Sequence, residues 1–224
     1  NAAVFMTNLD GLLYDDDPKE GIIQGNQFLH PAFKLKFTAP TGFTIQNGTN
    51  AVSIVGQSGQ AQFTATSFNG NLDAYVQSVF NQLAGQGQTA PAVNIQRTTI
   101  NGLPVASGGA SMSNSQGSRL DVTVVAYQFG PSAAYHFVVV TQAGQGLGAL
   151  SSLINSVTRM NDSEAAGIKP RRVRLVTVRS GDTAQSLAGR MAYSDFQLER
   201  FRVLNGLGPN AAPAIGSRVK IISY

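Results

Sequence analysis

The sequence predicts an α+β protein, in which an antiparallel sheet carries two helices on one face and is followed by a small β-α-α-β unit. Three observations support this fold class. Charged residues make up only 12% of the 224 residues and glycine accounts for 24, a composition that suits turn-rich β structure. Short runs rich in β-branched residues alternate with turn signals over most of the chain. Basic residues are concentrated after residue 170, which indicates a second unit.

Eight short runs between residues 34 and 142 are predicted to be strands. Turn signals separate many of them, including Asn47-Gly48, Asn101-Gly102 and Gly130-Pro131. Connections this short favour antiparallel hairpins. The predicted strands are KLKFTAP, FTIQN, AVSIVG, AQFTATSF, VNIQRTTI, LPVASGGASMS, RLDVTVVAYQF and AYHFVVVTQ.

Two stretches among these runs have helical periodicity. In NLDAYVQSVFNQLAGQG the apolar residues recur at intervals of three and four, Asn71 is placed to cap the start and Gly85 to close the end. GLGALSSLINSVTRM repeats this spacing. Because only two helices accompany eight predicted strands, we expect both helices to pack on one face of the sheet. The order of elements resembles the domains related to the photosystem extrinsic protein PsbP and the Ran-binding protein Mog.

The last 54 residues are predicted to form a strand, two helices and a strand. The run VRLVTV is β-branched, a Ser-Gly-Asp turn follows, and Asp182 or Thr183 is placed to cap the first helix. A second helical pattern runs through DFQLERFRVLNG, with Phe196 among its apolar residues. SRVKIIS is the final strand.

Charge divides the chain unevenly. Residues 1–170 carry seven Lys/Arg and nine Asp/Glu, whereas residues 171–224 carry nine and three. The stretch NDSEAAGIKP between them has the composition of a linker. We therefore predict an N-terminal helix and connecting segment in residues 1–30, an α+β domain in 31–160, a linker in 161–170 and a basic domain in 171–224. The basic surface suits an anionic polymer or docking on the larger domain; nucleic acid is disfavoured because no recognition helix or aromatic platform accompanies the charge.

Residues that carry catalytic chemistry are scarce. The chain has no cysteine, which excludes thiolate metal sites, and neither His30 nor His136 has a partner at a metal-ligand spacing, so both are expected to be packed or in turns. YDDDPKEG lacks the glycine and last acidic residue of a calcium loop, and AGQGLGAL is expected to be a connection rather than an anion site. No serine sits in GxSxG, and no apolar run is long enough to cross a bilayer. We predict no catalytic residue, metal site, cofactor or membrane span in this chain.

The small unit resembles a LysM domain. The motif Val-x-x-Gly-Asp-Thr-x-x-x-Leu-Ala-x-Arg begins at Val178, and Asn-Gly-Leu followed by Ile-Gly-x-x-Val-Lys-Ile matches the end of that family's pattern. The stretch from Arg190 to Asn205 is about three residues longer than in the usual repeat, close to one helical turn. The resemblance implies a shallow groove for N-acetylglucosamine polymers such as peptidoglycan. Its residues by position are Gly181, Asp182, Thr183, Pro209, Asn210, Ala211 and Ile215.

A wider resemblance covers nearly the whole chain. GLLYDDDPKEGIIQGNQFLHPAFKLKFTAPTGFTIQNG, with the LysM-like motif downstream, is similar to the region after the catalytic domain in bacterial periplasmic HExxH zinc metalloproteases related to the CAAX prenyl proteases. This implies that zinc and peptidase activity belong to an upstream domain, and that Asn1 to Leu13 is the last helix of that domain. The expected function is a non-catalytic C-terminal region of a cell-envelope protease with a glycan-binding or docking module. The alternative is a free-standing cell-wall-binding or adaptor protein without enzymatic activity.

Overall fold

The computed structural model describes residues 7–84, 89–113 and 116–224, which contain three antiparallel sheets and a few short helices. The predicted α+β class is confirmed at this level. The chain divides into two units: unit 1 is Asn1–Pro18 together with Gly167–Tyr224, and unit 2 is Lys19–Ala166. Unit 2 is therefore an insertion in the chain of unit 1.

The described elements follow the predicted order closely between residues 34 and 142. The strands are β1 (Leu13–Tyr14), β2 (Ile22–Gln24), β3 (Gln27–His30), β4 (Leu35–Thr38), β5 (Phe43–Asn47), β6 (Val52–Gly56), β7 (Gly59–Thr64), β8 (Gln96–Ile100), β9 (Leu103–Ser113), β10 (Arg119–Gly130), β11 (Ala133–Gln142), β12 (Thr158–Arg159), β13 (Arg171–Thr177) and β14 (Arg218–Ser223). The helices are α1 (Leu72–Ala84), α2 (Ser151–Ser156), α3 (Asp162–Gly167), α4 (Ala184–Ala188) and α5 (Gln197–Asn205), and a 3₁₀ turn (Gly148–Leu150) precedes α2.

Seven strands of unit 2 form its large sheet, in the spatial order β5-β6-β7-β11-β10-β9-β8. All neighbouring pairs are antiparallel, and most are hairpins between consecutive strands. Helix α1 covers one face. The predicted cap is present, since Asn71 Oδ1 accepts hydrogen bonds from the amides of Asp73 and Ala74 at 3.0 and 3.1 Å. The predicted closing residue, Gly85, lies outside the described residues.

The opposite face of the large sheet packs against α2 and a four-stranded sheet of order β12-β4-β3-β2. The Phe37 ring of the smaller sheet lies 5.1 Å from the Phe137 ring, and the Tyr127 hydroxyl donates to the Ile154 carbonyl of α2 at 2.8 Å. The prediction that both helices cover one face is therefore wrong. The reason is visible in runs such as HFVVV: side chains alternate along a strand, so consecutive apolar residues require a cover on both faces.

Unit 1 contains the predicted β-α-α-β order as β13, α4, α5 and β14, with one further strand. The sheet order is β1-β13-β14, and the core contains Leu187 and Phe201, both fully buried. Phe196, predicted on the apolar side of the second helix, is instead 69% exposed at the start of α5. The unpredicted strand β1 pairs Leu13 with Arg172 and thereby brings the N-terminal segment into this unit.

The boundaries of the units differ from those expected from composition. The predicted segment 1–30 is divided after Pro18, and the first six residues of the predicted linker 161–170 belong to unit 2. There α3 places Glu164 2.6 Å from Lys36, an ion pair that composition cannot reveal. The expected helix over Asn1 to Leu13 is described only from residue 7: residues 7–9 are helical, and Leu13 is already in β1. Residues 1–6 lie outside the described part.

Candidate functional site

The candidate glycan groove depends on how β13 and β14 end. Their ladder runs to the pair Thr177 and Arg218, and Val178 continues it by donating to the Ser217 carbonyl and accepting from the Gly216 amide, both at 2.9 Å. The turn after β13 and the loop before β14 therefore lie at the same end of the sheet. This places Gly181–Thr183 and Ile215, two parts of the predicted groove, at one end of unit 1.

The turn after β13 is held by its own side chains. Asp182 Oδ2 accepts a hydrogen bond from the Arg179 amide at 2.7 Å. Thr183 Oγ1 accepts from the Ser186 amide at 3.0 Å, and Ser186 Oγ accepts from the Thr183 amide at 2.9 Å, which is a complete capping box for α4. Gly181 has φ +88°, a left-handed conformation that favours glycine. The three residues therefore build the turn, and of the two predicted capping residues, Asp182 and Thr183, it is Thr183 that caps α4.

The loop before β14 is open. Pro209, Asn210, Ala211 and Ile215 are all exposed, Ile215 by 72%. The Ala211 amide donates to the Gly208 carbonyl at 3.1 Å, within the loop itself. Among the described residues, no hydrogen bond joins Pro209–Ala211 to Gly181–Thr183. Six of the seven predicted groove residues are exposed, and Asp182 is half-buried. That these residues act together as one binding site stays a prediction.

Sequence reasoning missed the segment of residues 7–15 that lies along β13, which we call the strap. Gly11 donates to the Val173 carbonyl at 2.8 Å, and Val173 donates back to Leu12 at 2.9 Å. Asp10 Oδ1 accepts from the Leu175 amide at 2.9 Å. The strap therefore pairs the edge of β13 that a two-stranded sheet would leave open.

The strap also accounts for part of the basic charge. Arg172 donates to the Gly11 carbonyl at 2.8 Å, and Arg218 donates to Thr7 Oγ1 at 3.2 Å. Residues 171–224 alone have nine Lys/Arg and three Asp/Glu, whereas the whole of unit 1 has ten and seven, so its net charge is +3 rather than +6. Two of the four added carboxylates, Asp10 and Asp15, lie in the strap.

A stacked cluster lies at the end of the strap. The guanidinium groups of Arg171 and Arg200 lie 4.5 and 4.4 Å from the centre of the Tyr193 ring. Asp15 Oδ2 accepts from the Tyr193 hydroxyl at 2.9 Å and pairs with Arg171 at 3.2 Å. Burial, followed by the hydrogen bond and negative charge of Asp15, raises the pKa of Tyr193. Asp15 of the acidic YDDDPKEG turn therefore binds protein groups, which explains its position better than a calcium loop does.

The histidines of unit 2 do not fit a zinc site. His136 is buried, its Nδ1 lies 2.9 Å from the Tyr75 hydroxyl, and burial lowers its pKa to about 4. His30 stacks on Phe33, with 3.8 Å between ring centres. The described residues contain no group of three or more His, Asp or Glu placed to hold a metal ion. No described helix is long and apolar enough to span a membrane.

The glycine-rich connection before α2 binds a carboxylate of the protein through two backbone amides. Asp121 Oδ2 accepts hydrogen bonds from the amides of Gly144 and Gly146 at 2.8 and 3.0 Å. The carboxylate of the protein itself therefore occupies these donors, in agreement with a structural connection.

Comparisons with known proteins assign no family. No known family model matches the chain, and no curated protein matches it. A crystal structure of a protein from Bacteroides thetaiotaomicron VPI-5482 is similar over 82% of this chain, with 13% sequence identity and a TM-score of 0.44. The present chain spans 60% of the length of that protein. This distant likeness indicates neither family nor activity.

Proposed function

We propose that unit 1 is a LysM-like module that binds N-acetylglucosamine polymers such as peptidoglycan. The observation that carries this proposal is the turn at Gly181–Thr183, where the motif residue Thr183 forms a capping box with Ser186 and the turn lies at the same end of the sheet as Ile215. The β13-α4-α5-β14 order also matches the family's fold. Backbone amides and small exposed side chains in this region are suited to acetamido groups.

For the whole chain we propose a non-catalytic C-terminal region of a periplasmic zinc metalloprotease. In this proposal the zinc ligands lie upstream, and the module holds the enzyme near the cell wall. For unit 2 we propose a fold related to the PsbP and Mog domains, supported by its order of strands, helix, strands and helix.

The alternative is a free-standing wall-binding or adaptor protein. The observation that favours it is strand β1, because residues expected in the last helix of a catalytic domain instead pair with β13. The coding sequence upstream of Asn1 distinguishes the two: an HExxH helix supports the protease, and a signal peptide directly before Asn1 supports the alternative.

Nuclear magnetic resonance titration with a pentamer of N-acetylglucosamine tests the glycan site. We expect amide signals of residues 181–183 and 209–215 to shift, with a dissociation constant on the order of 0.1 to 1 mM, because the groove residues include no aromatic platform. Ile215→Asn should weaken binding, whereas the control Val203→Asn, at a position 83% exposed on α5, should not. Absence of shifts at millimolar pentamer, or equal loss in both variants, would overturn the glycan proposal.

A further inference from the structure

A small pocket in unit 2 lies beside the hairpin loop between β5 and β6. Its volume is about 330 Å³, within the range typical of small-molecule sites. The walls include His30, Phe33, Phe63 and Tyr135, and the loop residues 47–52 form its rim. All of these residues belong to unit 2, so this pocket is separate from the candidate glycan groove.

Three aromatic rings of the wall form a column. The His30 and Phe33 rings are nearly parallel at 3.8 Å, and the Phe33 and Tyr135 rings stack at 4.9 Å. Because two rings cannot share one face of Phe33 at these distances, they occupy its two faces. Phe33 remains 44% exposed, so it presents mainly its ring edge. Ring edges carry partial positive charge and attract the face of another aromatic ring, whereas sugars stack on ring faces.

Two hydrogen-bond donors of the column are unused. His30 Nδ1 lies 3.4 Å from the Phe33 amide, which donates to it, and in the ring tautomer that accepts this bond the proton is on Nε2. Among the described residues, neither His30 Nε2 nor the Tyr135 hydroxyl has a hydrogen-bond partner. Both residues line the pocket. The pocket lining includes one cationic side chain, Lys19, and one anionic side chain, Glu20. The two charges cancel, so the pocket does not favour a charged ligand of either sign.

We propose that this pocket binds an uncharged aromatic ring that carries an oxygen acceptor. The ring meets the edge of Phe33, and the acceptor receives a hydrogen bond from His30 Nε2 or the Tyr135 hydroxyl. Such a group occurs in a free aromatic amide and in a phenylalanine side chain next to its own peptide carbonyl.

Titration of the full chain with four probes tests this proposal. Benzamide represents the free ligand, N-acetylphenylalanine amide represents the peptide, cyclohexanecarboxamide is the matched probe without a π face, and N-acetylglucosamine represents a sugar. We expect shifts of amides 47–52 and of Phe33 and Tyr135, a dissociation constant on the order of 1 mM, and about 2- to 10-fold tighter binding of benzamide than of its cyclohexane counterpart. If N-acetylphenylalanine amide binds at least as tightly as benzamide, the natural ligand is a phenylalanine side chain of a peptide. If it binds more weakly, the natural ligand is a free aromatic compound.

Two variants locate the interaction. Tyr135→Phe keeps the ring column and should weaken benzamide binding about 5-fold by removing one donor, and Phe33→Leu should abolish the preference for benzamide over cyclohexanecarboxamide. The control Phe196→Leu changes an exposed ring of unit 1 and should have no effect. Three results would each overturn the proposal. They are no binding of benzamide at a concentration 10-fold above the expected dissociation constant, equal affinity of the wild type for benzamide and cyclohexanecarboxamide, and tighter binding of N-acetylglucosamine than of benzamide. Because the pentamer test concerns unit 1, failure of either proposal leaves the other standing.

Discussion

Unit 2 and unit 1 cover their sheets in different ways. In unit 2, two clusters of twenty and eleven buried apolar residues fill the two faces of one large sheet. The described residues of unit 1 form one cluster of ten buried apolar residues, and Phe201 is the only aromatic residue among these ten. Polar bonds to the strap and stacked arginines complete unit 1. The larger unit is thus held by apolar burial on two faces, and the smaller by one core with a strap along its open edge.

The largest expected effect comes from removing the Phe201 ring, the one aromatic ring among the ten buried residues of unit 1. Phe201→Ala removes a fully buried side chain and should destabilise unit 1 by about 3 to 5 kcal/mol, which is comparable with all that a single small core supplies. The measurement is amide hydrogen exchange, with protection lost throughout β13 and β14. Phe137→Ala, at an equally buried position of unit 2, is the matched control. Retained protection in β10 and β11 of that control supports the comparison, and equal loss in both units would contradict it.

The same difference explains what the sequence could predict. The strands of unit 2 and the cap at Thr183 have local signals: turn dipeptides, β-branched runs and a capping residue three positions from its partner. Strand β1 has only two residues and pairs with a segment more than 150 positions away, so no local pattern reveals it. The placement of α2 failed for a related reason, since periodicity identifies an apolar helix face but not the sheet face that receives it. The strap, which uses several arginines of the candidate module, was therefore invisible, whereas its turn was not.

A second effect should be confined to unit 2, because unit 1 has no histidine. Well above pH 6.5, the ordinary pKa of histidine, His136 is neutral in both folded and unfolded chains. Between that pH and about 4, the unfolded chain binds a proton that the folded chain resists, so stability falls as pH falls, by up to about 3 kcal/mol. Urea unfolding at a series of pH values, followed by exchange of β10 amides, measures the slope. His136→Asn should remove most of the dependence of stability on pH. The rest should come from His30, because burial lowers the pKa of that residue as well. An unchanged slope in His136→Asn would contradict the assignment.

Helix caps provide a smaller comparison between the units. Thr183→Ala removes the acceptor of the capping box of α4 and should cost unit 1 about 1 kcal/mol, whereas Thr183→Ser should keep it. Asn71→Ala removes the corresponding cap of α1 in unit 2, with a similar expected cost. Urea unfolding, followed by a signal from each unit, measures the loss of stability that each variant causes in its own unit. Loss in Thr183→Ser as large as in Thr183→Ala would mean that the methyl group, rather than the hydroxyl, matters at this turn.

The smallest effect concerns the charge that holds the strap. Asp15→Asn keeps an oxygen that accepts from the Tyr193 hydroxyl but removes the negative charge beside Arg171, whose side chain is 25% exposed. We expect a loss of about 0.5 to 1 kcal/mol in unit 1 at low salt, because partly exposed pairs contribute little. The loss should shrink in 1 M salt, where the screening length falls to about 3 Å. Glu20→Gln in unit 2 is the control, because no described residue forms an ion pair with Glu20. If Asp15→Asn is as stable as the wild type at low salt, the retained hydrogen bond from the Tyr193 hydroxyl, rather than the charge, holds the end of the strap.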